Sequence, residues 1–389
     1  MRQNGYREDR VAFVITDGWT THFLRGQLRA LRERGLEPLV VAAAGPDLAN
    51  FAREEGVRVA TIDITREPRL VQDLRSVLQL VLILREWRPV LVNASTPKAA
   101  LVGMLAAWLC RTPVRVHQVR GHRFETMSGS RARLLKGLER LSSRLATHVQ
   151  FNSASLRTSA IEQGLLRAGV GVVIGAGSSN GVDVTAFRPD EDQVSALRTA
   201  YGIPHDAPVI GFLGRLVLDK GVVDLVEIFG RLVQRHADLR LLLIGPFEEG
   251  NPVPPATRKC IEQDPRIIAV GRVDDAAACY RVMDVLAFPS YREGLPNAVL
   301  EAQATCVPVV GYAATGTVDA LEQGHGGSLV TVGDRTALES ELDRYLSEPA
   351  LRREQGVAGR ARVMVDFDQV TVWSATAISY REWIGSRRR

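Results

Sequence analysis

The sequence predicts an α/β protein with two doubly wound parallel sheets. Three observations carry that reading. Short apolar runs alternate with stretches long enough for helices, the mark of βα units and parallel strands. The alternation pauses near residue 180 and restarts near 208. The chain has 389 residues, 46% hydrophobic and 24% charged, enough apolar surface for two separate cores.

In the first half the runs VAFVI (11–15), PLVVAAA (38–44), VRVATI (57–62), PVLVN (89–93), VRVHQV (114–119) and HVQF (148–151) read as strands. Between the first two, Leu24, Leu28 and Leu31 recur at helical spacing and predict a helix over 22–34. The run VLQLVLIL (77–84) lies between Arg75 and Arg85. It falls short of the ~20 residues a spanning helix needs and reads as a buried core helix. The second half repeats the pattern with PVIGFLG (208–214), LRLLLIG (239–245), IIAVG (267–271), DVLAFP (284–289), VPVVGY (307–312) and GSLV (327–330). Two such blocks imply two Rossmann-like domains. The segment NGVDVTAFRPDEDQ (180–193) joins Asn-Gly, Arg-Pro and an acidic run, and places the boundary there. The tail reads as a last helix offering Val372, Trp373, Ile378, Tyr380 and Trp383 for packing, with Arg387, Arg388 and Arg389 as a solvated end.

Composition narrows the function. This much apolar surface excludes general disorder. The four cysteines are scattered and form no C-x-x-C pair, against a disulfide scaffold, a zinc ribbon or thioredoxin chemistry. The opening MRQNGYREDR is polar, so a reducing cytosol is expected. Residues 1–185 hold 26 Lys+Arg against 16 Asp+Glu, and residues 186–389 hold 23 against 28. A basic half joined to an acidic half suggests domains with different electrostatic partners.

Two motifs carry chemistry. In FPSYREGLPNAVLEAQATCVPVV (288–310) a strand ends, a loop follows and a helix starts near Pro296. The backbone N–H groups of 294–298 and the helix dipole suit an anion. Glu293 before the turn and Glu301 within the helix suit polyol recognition, since each carboxylate accepts several hydroxyl hydrogen bonds. In GFLGRLVLDKGVVDLVEIF (211–229), Arg215 and Lys220 lie at the carboxyl end of the second domain's first strand, where open α/β sheets bind ligands. Two cations beside a helix start suit a diphosphate.

The pattern G-R-L-x-x-x-K-G, then F-P-S-x-x-E-G-L-P-N-x-x-L-E-A, closely resembles glycosyltransferase family 4. That resemblance implies the GT-B fold: two Rossmann-like domains facing across a cleft, with a C-terminal helix crossing back to the first. Residues 1–187 with 371–389 would form the N-terminal acceptor-side domain, and 188–370 the nucleotide-sugar domain. STPKAALVGMLAA (95–107), RFETMSGSRARLLKGLERL (123–141) and GAGSSNGVD (175–183) look most like enzymes of capsular and lipid-linked polysaccharide assembly.

The resemblance also implies roles. Arg215 and Lys220 would hold the donor diphosphate and stabilise the departing nucleotide. Gly294, Leu295, Pro296 and Asn297 would contact phosphate and sugar hydroxyls through the backbone. Glu301 would accept the ribose hydroxyls, Glu293 would sit near the donor sugar and Val273 would lie against the base. Gly18 would let the donor phosphate approach a helix start. Many relatives carry His-Gly after a first-domain strand. Here QVRGHRFE places Arg120-Gly121 there, with His117 before and His122 after. Arginine cannot act as a base at pH 7. With retention of configuration, the leaving phosphate oxygen would take the acceptor proton. No D-x-D metal motif is evident, and GAGSSNG lacks the dinucleotide fingerprint, so no metal and no NAD are expected.

In RARLLKGLERLSSRL (131–145), Leu134, Leu135, Leu138, Leu141 and Leu145 form one stripe. Arg133, Lys136, Arg140 and Arg144 form another, roughly 140° away at about 100° per residue. That cationic face suits an anionic membrane or a lipid-linked pyrophosphate, at about 1 kcal/mol per charge. The expectation is a retaining hexosyl- or N-acetylhexosaminyltransferase. It would use a nucleotide sugar, UDP-linked, as co-substrate and no other cofactor. The acceptor would be a glycan or lipid-linked glycan, as in surface polysaccharide assembly. The protein would be cytoplasmic, peripheral at the inner face of the membrane, and would bind no nucleic acid. Two alternatives stay open: a nucleotide-sugar 2-epimerase-like isomerase, and a sugar-nucleotide-binding protein with reduced catalysis.

Overall fold

The computed structural model describes residues 6–65, 69–166, 169–273 and 275–386. Arg387, Arg388 and Arg389, expected to form a solvated end, lie outside the described residues. The chain divides into two compact units, Met1–Gly181 with Gln369–Arg389, and Val182–Asp368. Val182 and Asp368 bridge where the chain enters and leaves the second unit.

The first unit holds seven parallel strands: β1 (Arg7–Val14), β2 (Glu37–Ala42), β3 (Arg58–Thr61), β4 (Pro89–Ser95), β5 (Val114–Val119), β6 (His148–Phe151) and β7 (Val172–Val173). Their order is β3-β2-β1-β4-β5-β6-β7. In register, Ala12 of β1 faces Leu39 on one side and Val92 on the other. Every β4 residue is buried, because helices cover both faces of the sheet. One face packs Leu28, Leu31, Phe51 and Tyr380. The other packs Leu80, Leu84, Val102 and Met104.

The second unit holds β8 (Val209–Leu213), β9 (Arg240–Ile244), β10 (Ile267–Gly271), β11 (Val285–Phe288), β12 (Val309–Tyr312) and β13 (Gly327–Val330), in the order β10-β9-β8-β11-β12-β13. Ile210 faces Leu241 of β9 and Val285 of β11. Helix Val222–Leu232 lays Val222, Leu225, Ile228, Phe229 and Leu232 on this sheet at 3- and 4-residue spacing. Each such buried side chain stabilises by roughly 1.5–3 kcal/mol.

Four local expectations change. The helix over 22–34 is broken into a 3-10 turn, Gly18–Leu24, and a helix, Gln27–Glu33. Gly26 separates them with φ 74°, and a Cβ there would overlap the Trp373 ring. Residues 77–84 lie in helix Leu70–Trp87, which is buried on one face only: Leu80 and Leu84 are core, while Val71, Leu74, Leu78 and Leu82 are exposed. In helix Gly129–Leu145, Leu134 and Leu141 are exposed and Ala132, Glu139 and Ser142 turn inward. The leucine stripe is therefore split: Leu135 and Leu145 pack against the core while Leu134 and Leu141 face outward, and Glu139 lies 3.5 Å from His117. In helix Gln369–Gly385, Val372 and Tyr380 are buried but Ile378 is exposed. That helix returns to the first unit, where Asn93 donates to the Tyr380 hydroxyl at 2.6 Å and Trp383 stacks on His148.

Candidate functional site

Strand order in the second sheet reverses between β8 and β11, so the chain departs in opposite directions from two neighbouring strands. Open α/β sheets bind ligands in the crevice left at that point. The loop after β8 carries Arg215 and Lys220, and the loop after β11 carries Glu293 to Asn297. Separated by some seventy residues of sequence, the two motifs become neighbours.

The loops are stitched together. Lys220 Nζ donates to Glu293 Oε1, and both side chains are mostly buried. Ser290 Oγ donates to the same Glu293 oxygen at 2.7 Å. Arg292 pairs with Asp219 at 2.5 Å, and the Tyr291 N–H donates to the Asp219 carbonyl at 3.0 Å. Gly221 is left-handed (φ 70°), and a Cβ there would lie 2.1 Å from the Pro289 oxygen. Glycine at this position is what lets the loops close. Arg215 is half-exposed and pairs with Glu248 at 2.7 Å. An exposed pair of this kind is weak, so its guanidinium can exchange Glu248 for a phosphate at small cost.

The helix after β11 starts at Asn297, with Pro296 as N-cap, one residue later than expected. Its first-turn N–H groups have no partner within the helix and favour negative charge there. Gly294, Leu295 and Pro296 are buried and Asn297 is half-buried. Gly316 (φ 77°) packs so closely that a Cβ would lie 2.6 Å from the Gly294 oxygen, which holds the turn from behind. Glu301 is not a helix-surface residue. Its Oε2 accepts from the Tyr280 hydroxyl at 2.9 Å, and burial pushes its carboxyl up to about 7. Val273 is half-buried against the core on this side of the sheet.

Sequence reasoning missed the supports of this site. Tyr280 holds Glu301 from 21 residues away, with no local pattern linking them. Asp224 is buried and accepts from Tyr291 at 2.6 Å and Tyr312 at 2.8 Å, while Arg335 pairs with it at 2.8 Å. Those bonds anchor the β11 loop at Tyr291, two residues before Glu293. Asp219 beside Lys220 and Arg292 beside Glu293 were within the quoted motifs and could have been flagged.

The first-unit residues are placed differently. Gly18 is buried against helix Pro46–Glu55, where a Cβ would lie 2.6 Å from Leu48 N. Packing alone requires glycine there. His117 and His122 are buried under helix Gly129–Leu145, and Glu139 Oε1 lies 3.5 Å from His117 Nε2 and 3.9 Å from His122 Nδ1. Burial pushes the imidazoles down to about 3 and about 4 and the Glu139 carboxyl up to about 7. Both histidines are neutral at pH 7, so the cluster is polar packing rather than an ion pair. Arg120 is half-buried with its guanidinium 4.5 Å from the Phe23 ring centre. Arg133 and Arg144 are exposed. Lys136 lies over the Phe124 ring, and Arg140 donates to the Gly164 carbonyl at 2.8 Å.

Comparison with known proteins agrees with this architecture. Residues 20–177 match the model of a glycosyl transferase 4-like domain, and residues 207–348 match that of glycosyl transferases group 1. The capsular polysaccharide biosynthesis glycosyltransferase CapM of Staphylococcus aureus is 30% identical over 378 residues, 97% of this chain and 98% of that protein. The UDP-Gal:α-D-GlcNAc-diphosphoundecaprenol α-1,3-galactosyltransferase of Escherichia coli is 23% identical over 80% of each chain. The crystal structure of Anabaena HepE with UDP and glucose superposes with a TM-score of 0.79 over 95% of this chain and 98% of its own, at 22% identity. With both domain models matched in order and a full-length relative at this identity, the chain belongs to the group 1 glycosyltransferases and has their GT-B fold.

Proposed function

We propose that this glycosyltransferase moves a sugar from a UDP-sugar to a lipid-linked glycan, with retention, in surface polysaccharide assembly. One observation carries the donor side: Arg215, Lys220 and the start of helix Asn297–Ala304 converge at the β8/β11 reversal, beside two carboxylates. In this reading Arg215 and Lys220 neutralise the diphosphate and the charge that develops on the departing nucleotide. The backbone from Gly294 to Asn297 holds a phosphate and sugar hydroxyls. Glu301 takes the ribose hydroxyls, Glu293 faces the donor sugar and Val273 lies against the base. Hexosyl transfer and a lipid-linked acceptor follow the name of the E. coli enzyme, and polysaccharide assembly that of CapM, while N-acetylhexosaminyl transfer rests on the family resemblance alone. UDP follows that enzyme and the HepE complex. A screen of nucleotide sugars by thermal shift tests this, because a bound donor raises the melting temperature by mass action. UDP-sugars should stabilise the protein and then donate to a polyprenyl-diphosphate glycan. Conversion of the donor without any acceptor would instead support an epimerase.

The acceptor side of the proposal is a contact with anionic membrane through Arg133, Lys136 and Arg144, with Arg140 partly committed to its own backbone partners. The exposed leucines of helix Leu70–Trp87 add apolar surface on the same unit. No helix among the described residues is long and apolar enough to cross a membrane. Flotation with anionic vesicles is expected to carry the protein up. Substituting Glu at Arg133, Lys136, Arg140 and Arg144 should abolish that, and persistent flotation would sink the idea.

A further inference from the structure

In the first sheet, strand order reverses between β1 and β4, which leaves a second crevice at the strands' carboxyl ends. The turn after β1 is tied to the turn after β4 by a hydroxyl bond, Thr16 to Thr96, at 2.6 Å. Thr96 is held at φ 74°, a strained value for a residue with a Cβ, at the start of the 13-residue helix Pro97–Leu109. Arg120 follows β5, the neighbour of β4, and its guanidinium reaches Phe23 in the turn after β1. The side chain thus lies along the rim of this crevice.

Its Nε and Nη1 are sealed from water and have no hydrogen-bond partner. Other partly buried arginines are satisfied. Arg115 donates to the carbonyls of Leu145 and Thr112, and Arg360 to those of Phe187, Ala304 and Val184. The ionisable group facing Arg120 is the Tyr380 phenol, which its own burial keeps neutral. Burial pushes the guanidinium down to about 10, and it stays charged at pH 7. A half-buried guanidinium with two N–H-bearing nitrogens lacking an acceptor carries a desolvation cost, and an oxyanion offsets it in both charge and hydrogen bonds.

We propose that Arg120 is the seat of an anionic group on the sugar substrate, a carboxylate or a phosphate, bound at the carboxyl edge of the first sheet. Two oxygens of such a group match the guanidinium fork, and the start of helix Pro97–Leu109 on the neighbouring strand adds positive potential. A neutral hexose offers no counter-charge. The proposal rests on the glycosyltransferase assignment and makes substrate acidity the property read at this position.

The test uses the full chain and an Arg120→Met variant, both saturated with UDP so that the donor diphosphate site is filled. Each is titrated with inorganic phosphate, with glucuronate and with glucose at matched ionic strength. The wild type is expected to bind at least one anion and not glucose, and Arg120→Met to bind that anion roughly ten- to hundredfold more weakly. Binding of phosphate alone assigns the seat to a phosphate group, and of glucuronate alone to the carboxylate of an acidic sugar. Without ligand, Arg120→Met should melt higher than the wild type, which a merely structural arginine would not produce. Equal anion binding by both proteins, no anion binding, or a lower melting temperature in the variant overturns the proposal. Failure of UDP itself to bind strikes the donor reading and leaves the anion comparison standing.

Discussion

Lys220→Ala is expected to reduce sugar transfer by about 10²–10³-fold in kcat/KM, the usual scale for removing one donor aimed at developing charge. The geometry gives this a second cause. Lys220 is the cation paired with Glu293, and Ser290 alone would remain on that carboxylate. The variant therefore loses a positive charge and leaves a negative one beside the place where a diphosphate has to sit. Leaving Glu293 without its cation costs about 1–3 kcal/mol of stability, a few degrees in melting temperature. A thermal melt and a transfer assay on the same sample separate the two effects. Glu293→Gln is the companion: it frees Lys220 and should keep or raise phosphate affinity while impairing the sugar step. Unchanged transfer by Lys220→Ala would remove Lys220 from the mechanism.

Glu301→Gln should weaken UDP binding by roughly ten- to hundredfold, the scale of hydrogen bonds to a charged group. The structure adds a pH signature. Burial raises the Glu301 carboxyl to about 7 from the usual 4.5, so the folded protein holds its proton more tightly than the unfolded chain. This group's contribution to stability is fully present below about 4.5 and is lost as pH rises through about 7. In the proposed role, ribose hydroxyls would donate to the carboxylate and favour its charged form, so that binding would drive off the proton. UDP affinity should therefore rise from pH 6 to about pH 7.5 and then level off, with proton release seen by calorimetry in buffers of different ionisation enthalpy. In Glu301→Gln the step should vanish. A 2′,3′-dideoxy UDP should lose affinity for the wild type and lose none further for the variant. An unaltered pH step in the variant would assign the titration to another group.

Much of the fold was legible because buried parallel strands are short, apolar and regularly spaced. Twelve of the strand ranges were read within a few residues, and the missed strand, Val172–Val173, is too short for any pattern. Helix faces were less legible. The leucines of 131–145 form one stripe in sequence, yet only part of it packs: Leu135 and Leu145 meet the core, Leu134 and Leu141 face outward, and Glu139 is turned toward His117. A polar residue that finds buried partners can outweigh leucine count, and periodicity does not contain that partner.

What the sequence by itself determined is the pair of α/β units and the family; Arg215, Lys220, Glu293 and Glu301 it put forward as the proposed site. Glycine-bearing turns at strand ends and charges at fixed offsets are local features. Only the tertiary structure decided what those residues face. The reversal between β8 and β11 brought two distant loops together, Tyr280 bonded the half-buried Glu301, and Glu139 came to lie 3.5 Å from His117 and 3.9 Å from His122. Arg120 was readable as a departure from the family pattern, but its missing counter-charge was not. Burial and pairing depend on which strands become neighbours, and that is set by packing across the whole sheet rather than by any stretch of chain.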